Sequence, residues 1–321
     1  MKKAEGKIVV VTGASSGAGR AIAIAVAREG AQLVLAARRM EALQEVAEEI
    51  RSEGGSAIAV AMDVKEMLDV YQLAKETVRQ FGAIDVWINN AGVLSAGKFD
   101  KIPAEINEDV IRTNLLGYIH GAQAVLPIFK QQGYGTLINN ISVGGWFATP
   151  YMAAYCASKF GLRGFFEALK GELKDDPGIH ICDLYPGFLD TPGIQHAANY
   201  TGKHLRPAPP VYDPADVAKA VVRLIKQPKE KKIIGSSSFF LKAAFTLFPR
   251  LSRNITASFI KTYLQKAEES EITSGNILHA VDYGTGVYGG WESYFNQGIK
   301  RKTPLVAAGL AVAVLLLVNR K

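Results

Sequence analysis

Cysteine is almost missing from this 321-residue chain: Cys156 and Cys182 are the only two. That scarcity speaks against a disulfide framework and against a cysteine-built metal site, and a reducing compartment fits best. The five histidines (His120, His180, His196, His204, His279) show no ligand spacing, so no metal is expected. No internal repeat or low-complexity tract appears, which sets aside solenoids and disordered linkers. The segment Met1 to Gly6 runs straight into a strand-like stretch and reads as carrying no signal peptide. Three Asn-x-Ser/Thr sequons begin at Asn140, Asn199 and Asn254. The first leads into a buried strand end, and all three read as accidental. The familiar G-x-G-x-x-G dinucleotide fingerprint is also absent.

What stands in its place is Thr12-Gly13-Ala14-Ser15-Ser16-Gly17-Ala18-Gly19-Arg20, with glycines as G-x-x-x-G-x-G between a strand-like Lys7 to Val11 and a helical pattern from Ala21. Such a turn lets backbone approach a pyrophosphate and offers the unpaired N–H groups of a helix start. Hydrophobic residues make up 48% of the chain, enough for one large core. Further strand-like runs at Gln32 to Ala37, Ser56 to Met62, Asp85 to Asn89, Gly135 to Ser142, Ile179 to Leu184 and Lys232 to Ile234 alternate with helical patterns. The alternation predicts a single α/β domain with a doubly wound parallel sheet.

Tyr155 lies thirteen positions after Ser142, and Lys159 follows four later. On a helix the last two share a face, so the ammonium can lie beside the phenol and favour its ionised form. Ser142 closes a strand-like run, where a side chain meets the ligand crevice of an open α/β sheet.

With Asn89-Asn90-Ala91-Gly92, Asn114 and Phe160-Gly161-Leu162 in addition, the chain resembles the short-chain dehydrogenase/reductase family over roughly residues 6 to 235. The resemblance implies a Rossmann-type fold and a nicotinamide cofactor. It implies Tyr155 as general acid/base, Lys159 lowering its pKa and bonding the nicotinamide ribose, Ser142 polarising the substrate oxygen, and Asn114 holding a water linked to Lys159. Gly13, Ser15, Ser16, Gly17 and Gly19 correspond to the pyrophosphate loop, Asp63 and Val64 to the adenine contact, and Asn90 with Gly92 to the ribose side. Tyr185-Pro186-Gly187 and Thr191 resemble the segment over the nicotinamide amide. Ala18 departs from the family's larger aliphatic residue. Helices around Ala91 to Lys130 and Cys156 to Leu173 pair between subunits in that family, so a homo-oligomer is expected.

The second strand ends without a carboxylate, and Arg38-Arg39 follow. A guanidinium there can pair with a 2′-phosphate, so NADP(H) is expected over NAD, with Arg38 the main contact. The alternative is a solvated start to the helix Met40 to Arg51.

Charge is uneven: residues 1–218 hold 21 Lys+Arg against 24 Asp+Glu, and residues 219–321 hold 16 against 6. The basic excess suggests an anionic partner, nucleic acid or membrane lipid. Pro304 to Val318 is uncharged and lies between Lys300-Arg301-Lys302 and Arg320-Lys321. As a helix it is about 22 Å long against a core of roughly 30 Å. This decides for lipid and predicts a membrane anchor over 300–321, a transmembrane helix with the catalytic domain on the cytoplasmic side. Trp291, Tyr294 and Phe295 would form an interfacial belt. Between the catalytic domain (1–235) and the anchor, residues 236–299 carry Phe239 to Phe248, the breaker Pro249, and an amphipathic basic stretch with Leu251, Ile255, Phe259 and Tyr263. That stretch suits either a headgroup layer or a lid over the substrate.

Trp146, Phe147, Met152, Phe188 and Leu189 surround the motif residues and favour a hydrophobic ketone, aldehyde or secondary alcohol. The readings left open are a non-catalytic NADP-binding membrane scaffold and a redox-neutral epimerase or dehydratase.

Overall fold

A computed structural model of the protein describes residues 4–291. Runs of small and β-branched residues form β1 (Ile8–Thr12), β2 (Gln32–Ala37), β3 (Ser56–Ala61), β4 (Val86–Asn89), a short β5 (Ser95–Gly97), β6 (Gly135–Asn140), β7 (Ile179–Pro186), a short β8 (Ala198–Tyr200) and β9 (Lys231–Ile234). Seven of these make one parallel sheet in the order β3-β2-β1-β4-β6-β7-β9, while β5 and β8 pair separately. Every residue of β1 is buried, as a central strand covered on both faces requires. Its register sets Val10 beside Val34 of β2 and Trp87 of β4.

The helices are α1 (Gly17–Arg28), α2 (Met40–Ser52), α3 (Met67–Phe81), α4 (Ala104–Ile111), α5 (Gly117–Gln132), α6 (Ala153–Glu172), α7 (Pro214–Lys226), α8 (Ser236–Leu247) and α9 (Pro249–Lys266). Alternation along the strands splits the core in two. Val9, Val11, Leu33 and Leu35 pack with Ile22 of α1, Val46 of α2 and Val221 of α7. On the other face Val10, Val34 and Trp87 pack with Leu73 of α3, Phe129 of α5 and Phe166 of α6. Pro249, at the first turn of α9, separates it from α8, since proline's missing N–H costs nothing at that position.

A polar ladder crosses the buried sheet. Trp87 Nε1 donates to Asn89 Oδ1 (2.9 Å), Asn89 Nδ2 to Asn139 Oδ1 (3.0 Å), and Asn139 Nδ2 to Asp183 Oδ1 (3.0 Å). Lys170 closes the ladder on Asp183 Oδ2 at 2.5 Å. Asp183 is fully buried, and its burial raises its pKa despite the nearby ammonium.

The expected membrane localisation is corrected here. No helix among the described residues is long and apolar enough to cross a membrane, and the run 304–318 lies outside the described residues, as do Tyr294 and Phe295. Part of the apolar side of α9 turns inward, with Ile255, Ile260 and Leu264 lining the central cavity, while Phe259 stays half exposed. Trp291 likewise is no interfacial anchor: it is 8% exposed, and its Nε1 donates to the Thr191 carbonyl at 3.0 Å.

Candidate active site

The sheet order reverses at β1, whose neighbours are β2 on one side and β4 on the other, and a crevice opens at the strands' carboxyl ends. Thr12 ties the two central strand ends together: its Oγ1 donates to the Ile88 carbonyl (3.2 Å) and accepts from the Asn90 N–H (3.0 Å). Asn90 Nδ2 then donates to the carbonyls of Thr12 and Gly13. Gly13 turns with φ +65°, and a Cβ there would lie 2.7 Å from Ala91 Cα. Gly19 packs so closely that a Cβ would collide with the Gly13 carbonyl. With Ser15, Ser16 and Gly17 these residues floor the crevice at the start of α1, bringing the predicted phosphate loop together as one concave surface.

Ser142, just past β6, holds φ +116° and ψ 153°, a region that only glycine enters without strain. Its Oγ accepts from the Gly144 N–H at 3.1 Å, and its hydroxyl favours the ionised form of Tyr155. Tyr155 and Lys159 rise from the first turns of α6. Lys159 is 4% exposed, and its Nζ lies over the rings of Tyr118 (5.0 Å) and Tyr155 (5.7 Å). Burial pushes Lys159 down to about 7 and Tyr155 up to about 12, the Ser142 hydrogen bond offsetting part of the latter. This runs opposite to the expected lowering of the tyrosine: desolvation favours the neutral phenol, and the neighbouring amine has itself lost much of its preference for charge. Tyr155 is therefore a proton holder at neutral pH.

Asn114 lies behind the crevice wall, fully buried in a π-helical turn over Arg112–Leu116. Its Nδ2 donates to the Val93 carbonyl and its Oδ1 accepts from the Val93 N–H, both at 2.8 Å. The side chain is thus spent on anchoring the segment after β4. It still reaches the motif through Gly92, where a Cβ would lie 3.4 Å from Asn114 Oδ1 and 3.9 Å from Lys159 Nζ.

At the far end Asp63 and Val64 line the crevice beside Arg38, whose guanidinium donates to the carbonyls of Asn276 (2.6 Å) and Ile277 (3.3 Å). Pro186 and Thr191 border the opposite side. The whole encloses about 1350 Å³, more than the roughly 300–1,000 Å³ of a single small-ligand pocket. The remainder is the apolar chamber under α8 and α9, lined in part by Phe147, which meets Phe245 edge-on at 5.0 Å between ring centres. Trp146 sits between two cations, Arg163 of α6 at 4.2 Å and Lys242 of α8 at 3.9 Å from its ring centre. Sequence reading missed this clamp and the contacts of residues 274–291 across the crevice, because neither has a local pattern.

Known proteins resemble this chain in sequence and in fold. A family model described as short chain dehydrogenase matches residues 7–200. The Bacillus subtilis (strain 168) protein named uncharacterized oxidoreductase YxnA is 33% identical, covering 98% of this chain and 90% of its own. A short chain dehydrogenase/reductase from Burkholderia phymatum, solved in complex with NAD, is 26% identical, with a TM-score of 0.70 over 79% of this chain and 98% of that one. An alcohol dehydrogenase from Thermococcus sibiricus, complexed with 5-hydroxy-NADP, is 29% identical, with a TM-score of 0.63 over 72% and 96%.

Proposed function

This chain belongs to the short-chain dehydrogenase/reductase family of oxidoreductases, and from that premise we propose that it is an NADP(H)-dependent enzyme interconverting a hydrophobic ketone or aldehyde with its alcohol. The observation that carries the reading is the convergence of Ser142, Tyr155 and Lys159 on one crevice. The floor fits a dinucleotide: Gly13 and Gly19 leave no side chain where backbone must meet a diphosphate. The buried Asn140 Oδ1, on the crevice wall, has no donor among the described residues. The nicotinamide, when bound, supplies or accepts a hydride at the substrate carbon.

This chain's own residues handle the oxygen and its proton. Ser142, with its lone pair engaged by Gly144, turns its hydrogen toward the substrate oxygen. Tyr155, protonated at neutral pH, gives that oxygen a proton during reduction and takes it back during oxidation. Lys159, charged below about pH 7, steadies the phenolate that the transfer leaves behind. Arg38 selects the 2′-phosphate, and the apolar walls from Phe147, Phe245 and Ile255 exclude water and admit an apolar body.

The full chain is assayed for NADPH oxidation with apolar ketones and aldehydes beside Tyr155→Phe. Turnover in the first and its loss in the second, with NADPH still bound, supports the reading. Retention of most activity by the variant sinks it.

A further inference from the structure

Beyond α9 the chain returns across the crevice. Residues 274–291 form a strap that contacts groups assigned above to the dinucleotide. The Gly17 N–H at the start of α1 donates to the Gly286 carbonyl at 2.9 Å, and Arg20 Nη1 to the Thr285 carbonyl at 3.1 Å. Arg38 is held twice, through Nη2 to the Asn276 carbonyl at 2.6 Å and Nη1 to the Ile277 carbonyl at 3.3 Å. Asn276 itself lines the crevice.

The strap is seated by close backbone packing. A Cβ at Gly275 would collide with the His196 carbonyl and lie 2.5 Å from Ala197 C. Two residues on, the fully buried Ile277 packs with Val93, Ile106 and Ala198. At the far end the Trp291 N–H donates to Asp190 Oδ1 at 2.8 Å.

We propose that the strap is a cofactor-specificity element, in which the Asn276 and Ile277 carbonyls fix the Arg38 guanidinium so that its remaining N–H donors face a 2′-phosphate. The inference rests on the reading of Arg38 as the NADP-selecting residue. Its physical content is preorganisation. An arginine on an open edge loses rotamer freedom when it grips a ligand, and one already anchored loses less. The anchors are neutral carbonyls, so they orient the fork without cancelling its charge, as a bidentate carboxylate would. Gly275 and Ile277 thereby act as positioning residues for a group they do not resemble chemically.

The test is equilibrium binding of NADPH and of NADH to the full chain, followed by nucleotide fluorescence, with melting temperature recorded for every variant. The unaltered chain is expected to prefer NADPH, and Arg38→Ala to lose that preference. Gly275→Val, which drives the strap off residues 196–197, and the milder Ile277→Ala are expected to weaken NADPH binding about ten-fold with Arg38 intact. NADH binding should stay near that of the unaltered chain. If folded Ile277→Ala and Gly275→Val keep the native NADPH:NADH ratio while Arg38→Ala loses it, the strap proposal falls and the Arg38 reading stands. Equal binding of both nucleotides by the unaltered chain, or a preference that survives Arg38→Ala, overturns the reading and the proposal together. Should Gly275→Val fail to fold, Ile277→Ala decides.

Discussion

Lys159 Nζ stands 5.7 Å from the centre of the Tyr155 ring, and desolvation is the largest influence on the pKa of both side chains. A lysine enclosed between two phenol faces, and pushed down to about 7, burdens the fold. The unfolded chain keeps that proton from about pH 7 up to lysine's ordinary value near 10.4, and stability rises with pH through this window. Lys159→Met should therefore melt at a higher temperature than the native chain at and below pH 7, with the gain shrinking toward pH 10 as the native lysine's penalty is relieved. The same variant should lose at least about a hundred-fold in kcat. Thermal melts across a pH series together with turnover assays check both, and a Tm gain that grew with pH would contradict the assignment.

Ser142 stores backbone strain where its hydroxyl is needed. Ser142→Gly removes the steric conflict at φ +116° and should cost no stability, or add about 1 kcal/mol, while lowering kcat about a hundred-fold. Ser142→Ala should show the same kinetic loss without the stability gain. Urea titration and steady-state kinetics on the pair separate strain from chemistry.

Asp183 depends on Lys170 across a 2.5 Å contact inside the sheet. Lys170→Met leaves a buried carboxylate unpaired and should destabilise the fold by about 3–5 kcal/mol in chemical denaturation near neutral pH. Because burial already raises the pKa of Asp183, the loss should lessen as the pH falls and the carboxyl takes up a proton. A loss independent of pH would mean that the ammonium's packing, not its charge, was what mattered.

The chamber under α8 offers a kinetic test. Phe245→Asp places a charge where Phe245 meets Phe147, and should raise KM for bulky apolar carbonyls by about ten-fold or more. A small water-soluble aldehyde should be affected much less. Equal losses on both would place Phe245 in the support of Ser142 and not in substrate recognition.

Most of the Rossmann-type domain was legible because its signals are local. β1 with its glycine turn, Ser142 at the end of β6, and Tyr155 with Lys159 on one helix each occupy a few consecutive residues or one helical turn. Helices α8 and α9 were legible for the same reason, including their break at Pro249. What escaped is long-range. The Asn89, Asn139 and Asp183 ladder joins residues on three strands whose adjacency depends on sheet order. Asn114 was named by motif, whereas the bonds of its amide to Val93 are a pairing no spacing announces. Residues 274–291 have neither helical nor strand periodicity, and their course is set by glycines packing on residues 191–197. The pKa of Tyr155 was misjudged because proximity of a lysine is visible in sequence, whereas the depth at which both groups are buried is not.

The indole of Trp146 has a mechanical consequence. Arg163 presses on it and donates to the Gly145 carbonyl at 2.8 Å, three residues after Ser142, while Lys242 of α8 presses on it as well. Helix α8 and the loop after β6 are thus riveted through one aromatic plate. A guest bulky enough to lift α8 would have to pry Lys242 away and so loosen the loop that carries Ser142, so molecular girth, and not only polarity, is expected to limit turnover.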